Sequence, residues 1–288
     1  MEILETKQIG IVGTGLLGGS VGLALKAAGY RGRVVGYART QSTLEQAQDR
    51  GCIDAGFGEL AAVAADSDLL VLAAPVRAIP ALIESLAPHV PEAAVITDVG
   101  STKQAIVEAA GRHLLRPGRF VGAHPMAGKT QQGPAAADGS LFSGKPCIIT
   151  AGAACDEGAL ELVRSLWRTL GMKLLEMSAA EHDRQTAVVS HLPHALAVVM
   201  MLAAAEVGGR EVASTGLDSV TRLAASNPPM RADIIEDNRR YLLDALDGFD
   251  RHLAGFRAVL ESGDGSALLE MLEKARAARD DWFGENHG

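Results

Sequence analysis

The segment IGIVGTGLLGGSVGLALKAAG, residues 9–29, decides the fold. It opens with a short apolar run, Ile9 to Val12, passes through a glycine turn and enters a helical pattern without a linker. Gly13, Gly15 and Gly18 form GTGLLG in that turn, the context in which a dinucleotide fingerprint becomes credible. Gly13 permits the tight turn, Gly15 lets the backbone approach a pyrophosphate, and Gly18 allows close packing of helix on strand. The amides at the helix start, at Leu16 and Leu17, then face the phosphates. Glycine triads also end strands for steric reasons alone; the strand, helix and second strand around this one give the nucleotide reading its weight.

The next apolar run, Val34 to Tyr37, leads into GYARTQS, where the acidic residue that holds an adenosine ribose is expected roughly 20 residues beyond the fingerprint. Ala38, Arg39 and Thr40 stand there instead. A ribose 2'-hydroxyl loses its carboxylate acceptor, whereas Arg39, with Thr40 and Ser42 nearby, suits a 2'-phosphate, so NADP is favoured over NAD. The competing reading makes Arg39 a solvated residue after a strand.

Outward from this unit, short apolar runs alternate with helical patterns at Leu69 to Ala73, Ala94 to Thr97, Phe120 to Ala123 and Pro146 to Thr150, with a last short strand at Lys173 to Glu176. Such alternation implies a mostly parallel sheet covered by helices on both faces. Beyond Ser178 the pattern turns helical, starting with Ser178 and Glu181 in capping-box spacing, which places a domain boundary there and divides the chain into 1–178 and 179–288. Leu242, Leu246, Phe249, Leu253, Phe256 and Leu260 form one helical stripe that must be covered, either inside a helical domain or by a second copy.

The 288 residues allow two cores, and the 48% apolar and 22% charged fractions describe an ordinary folded chain. With 27 Lys plus Arg against 35 Asp plus Glu and no basic run, nucleic acid is not an expected partner. The longest unbroken apolar stretch, Ala195 to Ala205, is too short to span a bilayer, and MEILETKQ does not read as a signal peptide, so no membrane association and a cytoplasmic location are expected. Cys52, Cys147 and Cys155 show neither disulfide nor thiolate-metal spacing.

In a parallel sheet, ligands sit outside the carboxyl ends of the strands. Ala74 and Pro75, Asp98 to Ser101, and His124 all follow strands there. His124, in FVGAHPMAG, suits a general base because imidazole titrates near neutrality; a turn histidine with one backbone bond is the alternative. Ser101 opens STKQ, a capping-box pattern for the helix through AIVEAAG, and its hydroxyl is also placed to orient His124 or a substrate. In SHLPHALA, Ser190 and His194 share a helix face, His191 points elsewhere, and Pro193 is expected to kink the helix. His182, His191 and His194 lack the companion ligands of a metal site. Arg222, in SVTRLAASNPPM, sits among apolar and small residues, where a guanidinium needs an anion: a substrate carboxylate or a structural Asp or Glu.

GTGLLGGSVGLAL (13–25), TDVGSTK (97–103), GAHPMAGKTQQG (122–133), LFSGKPCIIT (141–150), EHDRQTAVVSHLPHALA (181–197) and SVTRLAASNPPM (219–230) together resemble the prephenate and arogenate dehydrogenases, over about Ile9 to Glu261. The resemblance implies an α/β fold, a Rossmann-like mostly parallel sheet domain followed by an all-α dimerisation domain, and a homodimer formed through the helices. It implies a catalytic His124 bonded to the ring hydroxyl, Ser101 positioning both, Ser190 and His194 in the substrate pocket, and Arg222 on a substrate carboxylate. The reaction implied is oxidative decarboxylation of prephenate or arogenate with hydride transfer to NAD(P). Lys129, Thr130, Gln131, Gln132 and Gly133 depart from the Thr-Glu-Lys-Ser-Gly often found after HPMAG in the family, which leaves open the contacts that separate the two substrates. The rival readings are a β-hydroxyacid dehydrogenase, for which Lys103 and Lys173 lack a convincing setting as catalytic lysine, and a non-catalytic NADP sensor.

Overall fold

A computed structural model describes residues 2–152 and 154–284. One eight-stranded sheet in the order β3-β2-β1-β4-β5-β6-β7-β8 organises the first part of the chain. The strands are β1 (Gln8–Val12), β2 (Arg33–Tyr37), β3 (Ala55–Phe57), β4 (Leu69–Leu72), β5 (Val95–Asp98), β6 (Phe120–Pro125), β7 (Pro146–Thr150) and β8 (Lys173–Glu176). All pairings are parallel except β6 with β7. β3 was not expected from the sequence: AGF is three residues long and carries no apolar run, because an edge strand held only by β2 needs none.

Both faces of the central strands are covered, which is why they read as unbroken apolar runs. Ile9, Ile11, Leu69, Val71, Val121 and Ala123 pack on one side with Phe142 and Trp167, while Val12, Val35, Leu70, Leu72 and Ile96 pack on the other. The helices over the sheet are α1 (Leu16–Ala27), α2 (Gln41–Asp49), α3 (Leu60–Ala64), α4 (Ile79–Leu86), α5 (Gln104–His113) and α6 (Glu157–Thr169). Cys52 and Cys147 are buried core residues, Cys155 is half-buried, and all three are free thiols.

After β8 the chain becomes helical. Ser178 caps α7 (Ala179–Thr186) through Glu181 N to Ser178 Oγ at 3.1 Å. α7 passes through a π turn, Ala187–His191, into α8 (Leu192–Val207). The expected kink at Pro193 is thus a widened turn immediately before it: the π turn absorbs the carbonyls that the proline ring would strike, and Pro193 lies in the first turn of α8. The continuous helical run Ala179–Val207 is 29 residues long and holds an 18-residue window of mean hydropathy 1.8, 28% buried. By length and composition it is long and apolar enough to cross a bilayer, so the limit drawn from Ala195 to Ala205 was too narrow; residues before it, Ala187 to His194, carry no Asp, Glu, Lys or Arg and extend the stretch. Val198, Val199, Met200, Met201 and Leu202 on it are exposed.

α9 (Thr215–Thr221) and α10 (Pro228–Asp237) follow, then α11 (Arg239–Ser262) and α12 (Gly265–Phe283). The chain divides into two compact units, one up to Arg239 and one from Arg240 onward. In the second unit, Leu242 of the apolar stripe is buried, but Leu253, Phe256 and Leu260 are 48%, 38% and 55% exposed, so the chain itself leaves half of the stripe uncovered.

Candidate active site

The glycine turn follows β1 and shows three different steric situations. Gly13 has a φ of 102°, and a Cβ there would lie 2.4 Å from Ala73 O. At Gly18 a Cβ would stand 2.0 Å from Gly13 O and 2.8 Å from Ile11 Cγ2, so helix α1 can sit this close to β1 only without a side chain. Around Gly15 nothing lies within 4 Å of the added atom. Gly15 occupies the N-cap of α1, no side chain caps the helix, and the buried Thr14 Oγ1 finds no partner among the described residues. Open space beside orphaned helix amides at Leu16 and Leu17 fits the pyrophosphate of a dinucleotide. Ala74, half-buried, and Pro75, exposed, follow β4 beside this turn.

Past β2, Arg39 is exposed and forms no ion pair among the described residues. Thr40 is the N-cap of α2 and accepts from Thr43 N at 3.3 Å. Its hydroxyl therefore already has a structural task, which sequence reading assigned only to the cofactor.

Polar residues converge at the ends of β5 and β6. Asp98, fully buried, accepts Gly100 N at 2.7 Å and Ala123 N at 3.1 Å, and it is ion-paired with Lys103. Lys103, also fully buried, donates from Nζ to Ala123 O at 3.0 Å. The pair is tolerable in the interior because both charges are hydrogen-bonded, and it ties the two strands together one residue before His124. Lys103 thereby holds the sheet rim instead of serving as a catalytic lysine, and Lys173 is exposed on β8.

His124 Nδ1 lies 2.8 Å from His182 Nε2, with the rings edge to face at 5.0 Å, and His182 Nδ1 lies 2.7 Å from Asp183 Oδ1. His124 Nε2 makes no hydrogen bond among the described residues. Burial holds the His124 pKa well below the ordinary histidine value, reinforced by the neighbouring His182, Lys103 and His191. Burial also lowers the His182 pKa, against the opposing effect of its hydrogen bond to Asp183. The site histidine is thus neutral near pH 7, as a proton acceptor must be.

The start of α5 corrects an expectation. Ser101 does not cap it: the helix begins at Gln104, and the amides of Lys103 and Gln104 donate to Asp183 Oδ1 and Oδ2 at 2.8 and 2.9 Å. A carboxylate that takes both orphan amides is a stronger cap than a serine hydroxyl. Ser101 sits half-buried in the preceding bend, and its hydroxyl forms no hydrogen bond to His124.

On the following helices His194, buried, has Nδ1 2.9 Å from the Ser190 carbonyl, while its Nε2 has no partner among the described residues. Ser190 thus meets His194 through its backbone, with its side chain half-buried. The buried His191 faces Asn238, whose Nδ2 lies 3.0 Å from His191 Nδ1 and donates to Asp183 O at 2.8 Å; burial pushes the His191 pKa down to about 4. Arg222 is exposed in the 3-10 turn Arg222–Ala225 that follows α9, so its guanidinium is not held in the expected apolar setting that demands an anion. Arg231 is half-buried, and its Nε is buried without a partner among the described residues. Charges on Arg231 and Arg222 both reach His194 and help lower its pKa, after burial.

The sequence reading put Asp98 on the rim without a role, weighed Lys103 and His182 only in readings it set aside, and missed Asp183, Arg231 and Asn238. Of these, the adjacent His182 and Asp183 carried a signal, since polar side chains near the start of the long apolar helical run Ala179–Val207 need partners where they are buried. In the altered loop, Lys129 pairs with Asp138 at 2.8 Å. Among the described residues no group of three His, Cys, Asp or Glu could hold a metal.

A family model described as prephenate dehydrogenase, nucleotide-binding domain, matches residues 21–176, and one described as prephenate dehydrogenase, dimerization domain, matches residues 178–274. The chain is 32% identical over 276 residues to prephenate dehydrogenase of Bacillus subtilis (strain 168), covering 94% of this chain and 74% of that one. Among solved structures it is similar to prephenate dehydrogenase from A. aeolicus in complex with hydroxyphenyl propionate and NAD+, with a TM-score of 0.89, 31% identity and coverage of 96% and 98% of the two chains. It is also similar to Synechocystis arogenate dehydrogenase, with a TM-score of 0.85, 30% identity and coverage of 96% and 99%.

Proposed function

The chain belongs to the prephenate dehydrogenase family, and from that premise we propose that it oxidatively decarboxylates prephenate to 4-hydroxyphenylpyruvate, arogenate to tyrosine, or both, as a cytoplasmic enzyme of tyrosine biosynthesis. The observation that carries this reading is His124: a neutral imidazole at the end of β6, held through Nδ1, with Nε2 unbonded among the described residues. Nε2 accepts the proton of the ring hydroxyl as the carbinol is oxidised. The bound nicotinamide supplies the hydride acceptor. The dienone so formed regains aromaticity on losing carbon dioxide, so the protein's task is mainly positioning and electrostatics. Arg222 anchors a substrate carboxylate, with Ser190 and His194 lining the pocket and Ser101 beside the reacting hydroxyl.

The glycine turn holds the pyrophosphate; it lies before the first residue matched by the family model, so its assignment rests on the open face at Gly15 and the uncapped α1 amides. For this chain we favour NADP, since β2 ends without a carboxylate and Arg39 is free to meet a 2'-phosphate. We draw the boundary between the nucleotide-binding and the substrate and dimerisation domains at Ser178, supported by the break between the family matches at 176 and 178. A second copy covers the apolar residues exposed on α8 and α11; in this reading that cover leaves no face for a membrane, and 35 Asp plus Glu against 27 Lys plus Arg disfavours nucleic acid.

The test is a spectrophotometric assay of nicotinamide reduction with prephenate and with arogenate, each against NAD and NADP. Turnover with at least one pair is expected. None with any of the four overturns the assignment.

A further inference from the structure

We infer that His182 and Asp183 are positioning residues that fix which nitrogen of His124 carries its proton. The inference rests on the reading of His124 as the base. It starts from the Asp183 carboxylate, an acceptor whose two oxygens already take the amides of Lys103 and Gln104. The only hydrogen bond His182 Nδ1 can make to Asp183 Oδ1 is as donor. With its proton on Nδ1, neutral His182 presents a lone pair at Nε2, and His124 Nδ1 must therefore donate to it. His124 then keeps its lone pair at Nε2, the nitrogen without a partner among the described residues. Two successive hydrogen bonds thus select the tautomer that can act as a base.

The chain also answers the charge that develops. When the O–H bond of the substrate carbinol breaks and Nε2–H forms, His124 becomes cationic, and its Nδ1–H bond to His182 strengthens. Lys103 and His191 oppose that cation, whereas Asp183 and Asp98 favour positive charge on His182, the ring it is bonded to. Asp98 is already engaged by Lys103, so Asp183, through His182, is the carboxylate in line with the base. Asp183 itself is held by Asn238 at its carbonyl and by the start of α5, which leaves it little freedom to turn.

The deciding variants are His182→Leu and His182→Gln, because both leave Asp183 capping α5. Gln keeps an acceptor, its Oε1, for His124 Nδ1–H; Leu keeps none. His182→Leu is expected to lower kcat about 100-fold with KM changed less than about threefold, and His182→Gln to recover most of that loss. In protein labelled with 15N at histidine, wild type should show His124 protonated at Nδ1 in its neutral form, and Asp183→Asn should move the proton to Nε2. Asp183→Asn should also shift the acid limb of the kcat/KM profile to lower pH, because it removes the charge that stabilises the protonated pair. A purely structural role predicts a lower Tm with the tautomer and the acid limb unchanged, and that result overturns the inference, as does wild-type kcat in His182→Leu. Failure of the base reading looks different: His124→Asn would then keep full turnover, whatever the tautomer.

Discussion

The two halves of the site are stiffened in opposite ways. At the nucleotide end rigidity is steric: Gly13, Gly15 and Gly18 lie within six residues, and two of them exist so that backbone can touch backbone. The acid–base end has no such local frame. There Asp98, Lys103, His124, His182, Asp183 and Asn238 come from 141 positions of chain, and each is fixed by a hydrogen bond to another. A turn built by exclusion tolerates polar change but not volume, whereas a bonded network tolerates volume poorly and loss of a donor or acceptor worse.

The largest effect expected is at the base. His124→Asn should cut kcat by about 10²–10⁴ with cofactor binding intact, measured by steady-state kinetics and nucleotide titration. Full turnover would remove His124 from the chemistry. Next come the glycines, which test the steric half against itself. Gly18→Ala should destabilise by about 1–3 kcal/mol, seen as a fall of several degrees in Tm, because backbone stands where the methyl would go. Gly15→Ala should leave Tm unchanged and raise the cofactor KM roughly tenfold, since only a ligand fills that space. Equal behaviour of the two variants would break the distinction.

Arg222→Ala should raise the substrate KM roughly 10-fold to 100-fold with a smaller change in kcat, the loss of a charge-assisted carboxylate contact. A smaller change is expected from Arg39→Ala: a rise of about fivefold in the KM for NADP and none for NAD. An unchanged NADP value removes the 2'-phosphate contact.

Acid separates the two halves again. His191 carries an ordinary histidine value when unfolded and about 4 when folded, so between those limits the unfolded chain binds more protons. Stability is complete above about pH 6.5 and is lost as pH falls towards 4. His191→Asn should flatten that part of a Tm-against-pH curve; an unchanged slope would assign the acid sensitivity elsewhere.

The steric half was legible in the sequence because its parts are neighbours and its glycines have few other uses. The central strands were legible too, since burial on both faces leaves an apolar run, while edge strand β3 left no such trace. His124 could be found by its place after β6. Its partners could not, because nothing in EHDRQT states that Asp183 will cap a helix that starts 79 residues earlier. That distant cap also misled the reading of STKQ: the local pattern offered Ser101, and a stronger acceptor from another element took the amides. That Arg222 is exposed while Arg231 is half-buried was hidden for a similar reason, as composition near a guanidinium does not reveal which face of a turn it occupies.

The cap supplied by Asp183 has a consequence for modularity. The two family matches part at residues 176 and 178, so the chain invites dissection or exchange of parts at that seam. Yet a fragment ending at 178 would lose the acceptor of two α5 amides and the partner of His124 together. Chimeras that join this sheet to another member's helices should therefore work only when the incoming segment brings its own histidine and carboxylate in the register of 182 and 183. What looks like a hinge between interchangeable modules is, for heredity as for engineering, a linked pair.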